Sequence, residues 1–99
     1  GTTSTDEQGN ICHINDVYSQ TVKCIKNIES ALNHFNSSLS DVVRTRIYVT
    51  NIADWKLVAK AHAELFIDIR PATSMVEVSA LISPEILVEI EAEAITEVD

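Results

Sequence analysis

The run Val88-Glu-Ile-Glu-Ala-Glu-Ala94 alternates apolar and acidic side chains without a break. Only an extended strand, whose successive side chains point to opposite faces, sorts such a run into one apolar and one charged surface. A helix would set Glu91 nearly opposite Glu89 and Glu93 and mix the acids with the apolar residues. The strand therefore has one face to bury, formed by Val88, Ile90, Ala92 and Ala94, and a second that carries Glu89, Glu91 and Glu93. A lone strand buries little, so the rest of the chain must supply both sheet partners and a cover for the apolar face.

The partners are legible as further changes of period. Asp41-Val-Val-Arg-Thr-Arg-Ile-Tyr-Val-Thr50 reads as a strand with Val43, Thr45, Ile47 and Val49 on one face and Arg44, Arg46 and Tyr48 on the other. A third strand falls near residues 73–80 and the last near 86–95, joined by a short turn at Ser83-Pro84. The cover comes from two helices. From an N-cap at Asn15 or Asp16, Tyr18, Val22, Ile25, Ile28, Leu32 and Phe35 recur at spacings of three and four, while Gln20, Lys23, Asn27, Ser30 and Asn33 form the polar side and Asn36-Ser-Ser stops the helix. Asn51 with Asp54 resembles a capping box for the second helix, whose stripe is Trp55, Val58, Ala59, His62, Leu65 and Phe66. Trp55 is expected in the core, and Pro71 is expected to end the segment.

Residues 1–10 lack apolar periodicity and read as a loop with a turn at Gln8-Gly9-Asn10. The order is thus helix, strand, helix, strand, strand. Right-handed crossovers would place both helices on one face of the sheet. The opposite face mixes Arg, Tyr and Glu with Thr and Met, so it is either wet or packed against other subunits.

At 99 residues the chain suits one domain, and 45% hydrophobic residues with two Gly and two Pro suit dense regular structure. A net charge of −8 repels phosphate backbones, so nucleic acid is not an expected partner. Neither a membrane-length apolar run nor a secretory leader is visible, so a cytoplasmic protein without a membrane partner is expected. Cys12 and Cys24 lack C-x-x-C spacing and are read as reduced thiols. The sequence has no Ser-His-Asp spacing, G-x-G-x-x-G or P-loop to support nucleophilic hydrolysis, dinucleotide binding or NTP chemistry.

Taken together, Asp41-Val-Val-Arg-Thr-Arg-Ile-Tyr-Val-Thr50, the Trp55 helix, Arg70-Pro-Ala-Thr-Ser-Met-Val-Glu-Val-Ser-Ala-Leu81 and Val88-Glu-Ile-Glu-Ala92 resemble the RidA/YjgF family of imine and enamine deaminases. That family's pattern is Pro-Ala-Arg-Ser, a β-run, then Glu-Ile-Glu-Ala. The resemblance implies an α+β, chorismate-mutase-like fold, with a mixed sheet, two helices on one face, and a homotrimer forming a central barrel. Small-molecule ligands would lie in clefts between subunits, with no cofactor and no metal. It also implies a single domain over residues 1–99 without the family's N-terminal β-hairpin, Gly1 standing where the hairpin's Ser-Gly step ends. The charge balance gives the family's older endoribonuclease label no support.

The resemblance assigns the carboxylate on the last strand, Glu89, to positioning or activating the water that attacks an imine carbon. Read from the residues alone, Glu89 is one of three acids on a strand face. The family arginine that holds a substrate carboxylate is Thr73 here, and a helix asparagine near the cleft is Ala59. Gly1, Thr73 and Met75 are the substrate-binding candidates by resemblance. Arg70 is a candidate replacement, although three residues' offset along an extended segment would turn it to the opposite face. Arg44 and Arg46 are read as solvated or interface charges, His62 as a core or interface histidine, and His34 as a helix-end histidine. His13, in the loop before the first helix, is a candidate acid or base. Two functions follow: an imine or enamine deaminase without the usual carboxylate clamp, or a non-catalytic small-molecule-binding trimer.

Overall fold

A computed structural model describes residues 1–96; residues 97–99 lie outside the described residues. Helix α1 spans Val17–Asn33, strand β1 Val42–Val49, helix α2 Trp55–Leu65, strand β2 Ala72–Glu77 and strand β3 Val88–Ala94, with short 3-10 turns at Leu39–Asp41 and Ile52–Asp54. Element order and type agree with the sequence reading.

The sheet order is β2-β1-β3, with β2 parallel and β3 antiparallel to β1. The last two strands therefore are not neighbours joined by a short turn. They flank β1, and residues 78–87 carry the chain from one edge to the other. The most hydrophobic of the three strands takes the centre, where Ile47 and Val49 are buried on the helix side.

Both helices cover one face, where Ile25, Ile47, Val49, Val58, Val88 and Ile90 form a core whose members are almost fully buried. Burying each such aliphatic side chain contributes about 1.5–3 kcal/mol. The expected inward face of β1 shifts by one residue at its start. A bulge in the β1–β3 register between Val42 and Arg44 turns Val42 into the core and leaves Val43 44% exposed.

Helix α1 is also rotated from its expected face. Asp16 is the N-cap, its carboxylate accepting from the Ser19 backbone and hydroxyl. The buried stripe is Val17, Gln20, Thr21, Cys24, Ile25 and Ile28, whereas Phe35 lies past the helix end and is 81% exposed. Gln20, expected on the polar side, is fully buried because its amide is completely used. Nε2 donates to the carbonyls of Glu85 (2.9 Å) and Cys12 (3.4 Å), and Oε1 accepts from Leu87 N–H (2.9 Å). Helix α1 ends through Asn36 in the left-handed region.

Helix α2 starts after a 3-10 turn capped by Asn51, whose side chain accepts from Ala53 N–H. Trp55 is 50% exposed, not in the core, because the stripe that reaches the sheet runs through Val58 and Ala61. The helix closes at Phe66, ahead of Pro71; Ile69 and Arg70 N–H both donate to Phe66 C=O, and Arg70 takes a positive φ of 51°. Among the described residues no helix is long and apolar enough to cross a membrane.

Candidate functional site

Strand register sorts the candidate residues by face. Thr73 is paired with Thr45, and Glu89 with Tyr48. Paired residues share a face, and Thr45 and Tyr48 lie an odd number of positions apart on β1, so Thr73 looks toward the helices and Glu89 away from them. They also lie on opposite edge strands, about 10 Å apart at the usual strand spacing. One protomer therefore does not bring Thr73 and Glu89 to a common ligand.

The Glu89 side is built at the outer edge of β3. Thr2 forms an antiparallel bridge with Ile90, N–H to C=O in both directions at 2.8 and 2.9 Å. This pairing brings Gly1 against Glu89 so closely that a Cβ on Gly1 would collide with the carboxylate. Glu91 and Glu93 share one cation, Arg46, at 3.7 and 3.1 Å. Glu89 has no ion pair among the described residues and is half-buried. Of the three strand acids it is the one left available to a ligand or a water.

The opposite edge carries a cleft of about 360 Å³ between α2 and β2, lined by His62, Phe66, Ile67, Arg70, Pro71 and Thr73 among others. Arg70 and Thr73 share it because β2 begins only at Ala72 and Arg70 has a left-handed backbone, so the alternation that would separate them does not apply. Thr73 Oγ1 donates to Pro71 C=O (3.1 Å) and bonds Thr45 Oγ1 (2.8 Å), which in turn bonds His62 Nε2 (2.9 Å). The His62 ring lies 4.7 Å from that of Phe66, and burial lowers its pKa below the ordinary imidazole value.

The remaining candidates lie elsewhere. Met75 pairs with Ile47 and packs against the core from its rim. His13, exposed and at a positive φ of 56°, borders a separate shallow cavity with Tyr18, Val22 and Lys23. Cys24 is buried, and burial first, then the nearby Glu89 charge, push its thiol up to about 12, outside the nucleophilic range at neutral pH. Among the described residues no three His, Cys, Asp or Glu side chains converge as metal ligands.

Sequence reasoning missed the Thr73–Thr45–His62 chain. Its signal was available: a threonine on the buried face of a strand and a histidine on the buried stripe of a helix are polar groups that need each other once desolvated.

The family model for endoribonuclease L-PSP matches residues 1–96. The chain is 33% identical to the 3-aminoacrylate deaminase RutC of Acinetobacter baylyi over 86% of its own length and 67% of that protein. It is 34% identical to an uncharacterized Streptomyces coelicolor protein over 80% of its length and 59% of the relative, so it spans about three fifths to two thirds of such relatives. Among solved structures, a Mycobacterium tuberculosis member of the YjgF/YER057c/UK114 family is similar at 49% identity and a TM-score of 0.86, covering 97% of this chain and 75% of that one. The YyfA protein of Yersinia pestis, of the conserved Rid family, is similar at 36% identity and a TM-score of 0.85, covering 93% and 73%. A three-stranded mixed sheet under two helices, a family model matched along the described chain and these likenesses agree, and the chain belongs to the RidA/YjgF (endoribonuclease L-PSP) family.

Proposed function

We propose that this protein is an imine or enamine deaminase, working as a homotrimer whose sites join the Glu89 edge of one copy to the α2–β2 cleft of the next. The observation that carries the reading is Glu89: a half-buried carboxylate, packed beside Gly1, unpaired among the described residues while both neighbouring acids share Arg46. A carboxylate so placed is suited to act as a general base toward water. Water adds its oxygen to the imine carbon while Glu89 takes one water proton and passes it to nitrogen, giving a carbinolamine; Glu89 then takes the carbinolamine hydroxyl proton and delivers it to nitrogen as the C=O bond forms and the C–N bond breaks. One imine and one water give one ketone and one ammonia; an enamine first takes a proton on carbon to become the imine.

The relation to a RutC deaminase at 33% identity supports this chemistry. The division of candidate residues between opposite faces and edges of one sheet supports assembly, since only a second copy can bring both sets together.

The test is ammonia and keto-product release from an imine generated in situ from a small amino acid, with semicarbazide as the competing trap. Acceleration over buffer that Glu89→Gln lowers by about 100-fold or more is expected of a general base. Equal rates with and without the protein would remove the deaminase reading. A non-catalytic ligand-binding trimer is the second reading; it is favoured by Thr73, whose hydroxyl proton is spent on Pro71 where the family pattern has an arginine.

A further inference from the structure

The two glycines of the chain have different reasons to be glycine. Gly9 takes a φ of 84° in an exposed turn, with open space where a Cβ would go, so its task is conformational. At Gly1 the obstacle is a side chain. A Cβ there would stand 2.8 Å from Glu89 Cδ and 3.0 Å from Cγ, closer than nonbonded carbons pack, and its three nearest atoms all belong to Glu89. The carboxylate arm therefore lies along the Cα of Gly1, which the paired hydrogen bonds between Thr2 and Ile90 hold at the outer edge of β3.

This contact decides which way Glu89 leans. On the inner side of β3, Tyr48 stands directly across from Glu89 and Arg46 diagonally across. Diagonal neighbours about 7–8 Å apart are within reach of a long side chain. Arg46 already spans one diagonal, to Glu93 at 3.1 Å. Leaning outward over Gly1, Glu89 stays out of that ion-pair cluster among the described residues. A methyl group on residue 1 would fill the outer space and turn the arm inward, toward Arg46. The atoms it meets are the far end of a flexible side chain, so the arm can change rotamer and leave the backbone in place.

We infer that Gly1 is a positioning residue: its missing side chain is the seat of Glu89, holding the carboxylate at the β3 edge and apart from Arg46. Gly1 thus serves the reaction through the base and not by touching the ligand. The inference rests on the deaminase reading for its effect on rate, whereas the seat itself is observable without turnover.

The experiment is Gly1→Ala in the full chain. In the unaltered protein the Gly1 Hα protons should show nuclear Overhauser contacts to the Glu89 γ protons. Gly1→Ala should weaken those contacts and leave the thermal midpoint almost unchanged, because a side chain moves and no ladder bond is lost. Turnover of the imine generated in situ should fall about tenfold or more in kcat, with KM within about twofold, since a displaced base loses alignment with its water while ligand contacts elsewhere persist. If Gly1→Ala does lower the midpoint, adding Glu89→Ala should restore it, because the nearest obstacles are all atoms of Glu89.

Four results would each overturn the proposal: no Gly1–Glu89 contacts in the unaltered protein, an unchanged kcat in Gly1→Ala, a loss carried by KM, or a destabilisation that persists with Glu89→Ala. Contacts that Gly1→Ala weakens, in a protein that does not deaminate, would count against the deaminase reading alone.

Discussion

Glu89 and His62 show how neighbours decide what a titratable group does. On β3 three glutamates point the same way, yet Arg46 neutralises two of them and leaves Glu89 as the carboxylate without an ion pair among the described residues. Removing the cation by Arg46→Ala should blur that distinction while costing less than about 1 kcal/mol of stability, because both pairs are well exposed; chemical denaturation measures it. His62 is half-buried and its folded-state pKa lies below its ordinary value of 6.5. The unfolded chain therefore takes up the proton first as pH falls. Stability contributed by the neutral ring is full above 6.5 and declines as pH drops from there through the folded-state value. Denaturant midpoints measured across that window should fall with pH, and His62→Gln should flatten the slope. An unchanged slope in that variant would assign the acid sensitivity to other groups.

At the scale of elements, the fold was legible wherever periodicity was strong. The alternation of 88–94 and of 45–49 located β3 and the inward face of β1, because an apolar strand face has one stable destination. The misreadings have specific causes. Val42 and Val43 exchanged roles through a bulge, a feature that a two-residue period cannot express. Ser83-Pro84 reads in the sequence as a short turn joining two successive strands, although β1, being flanked on both sides, keeps β2 and β3 apart. Polarity alone places Gln20 on the solvent side, whereas its amide ties α1 to the connection before β3. Gln20→Leu should leave the Glu85 carbonyl and Leu87 amide without that partner and destabilise the fold by about 1–3 kcal/mol per stranded group. Thermal unfolding followed by far-UV circular dichroism checks this, and an unchanged midpoint would show that water replaces the glutamine. Of the candidate site, Glu89 and Thr73 are legible only through a family pattern, and His62 reads as a core or interface histidine, since nothing in the sequence links it to its partner Thr45, seventeen positions away.

For the whole molecule, the sheet has one covered and one uncovered face, and the candidate residues are divided between them. Thr73, His62 and Arg70 gather at the β2 edge; Glu89 and Gly1 gather at the β3 edge on the other face. Under the proposed shared site, activity belongs to the assembly and not to the protomer. Light scattering should give three times the protomer mass, and dilution into monomer should abolish turnover. The most direct measurement is subunit complementation between Glu89→Gln and Arg70→Gly, each prepared alone and then unfolded and refolded together. If each site takes Glu89 from one copy and Arg70 from the next, random mixing restores both intact residues in about a quarter of the clefts, and ammonia release should recover to that extent. Two impaired variants that remain impaired in verified mixed trimers would contradict a site shared between copies.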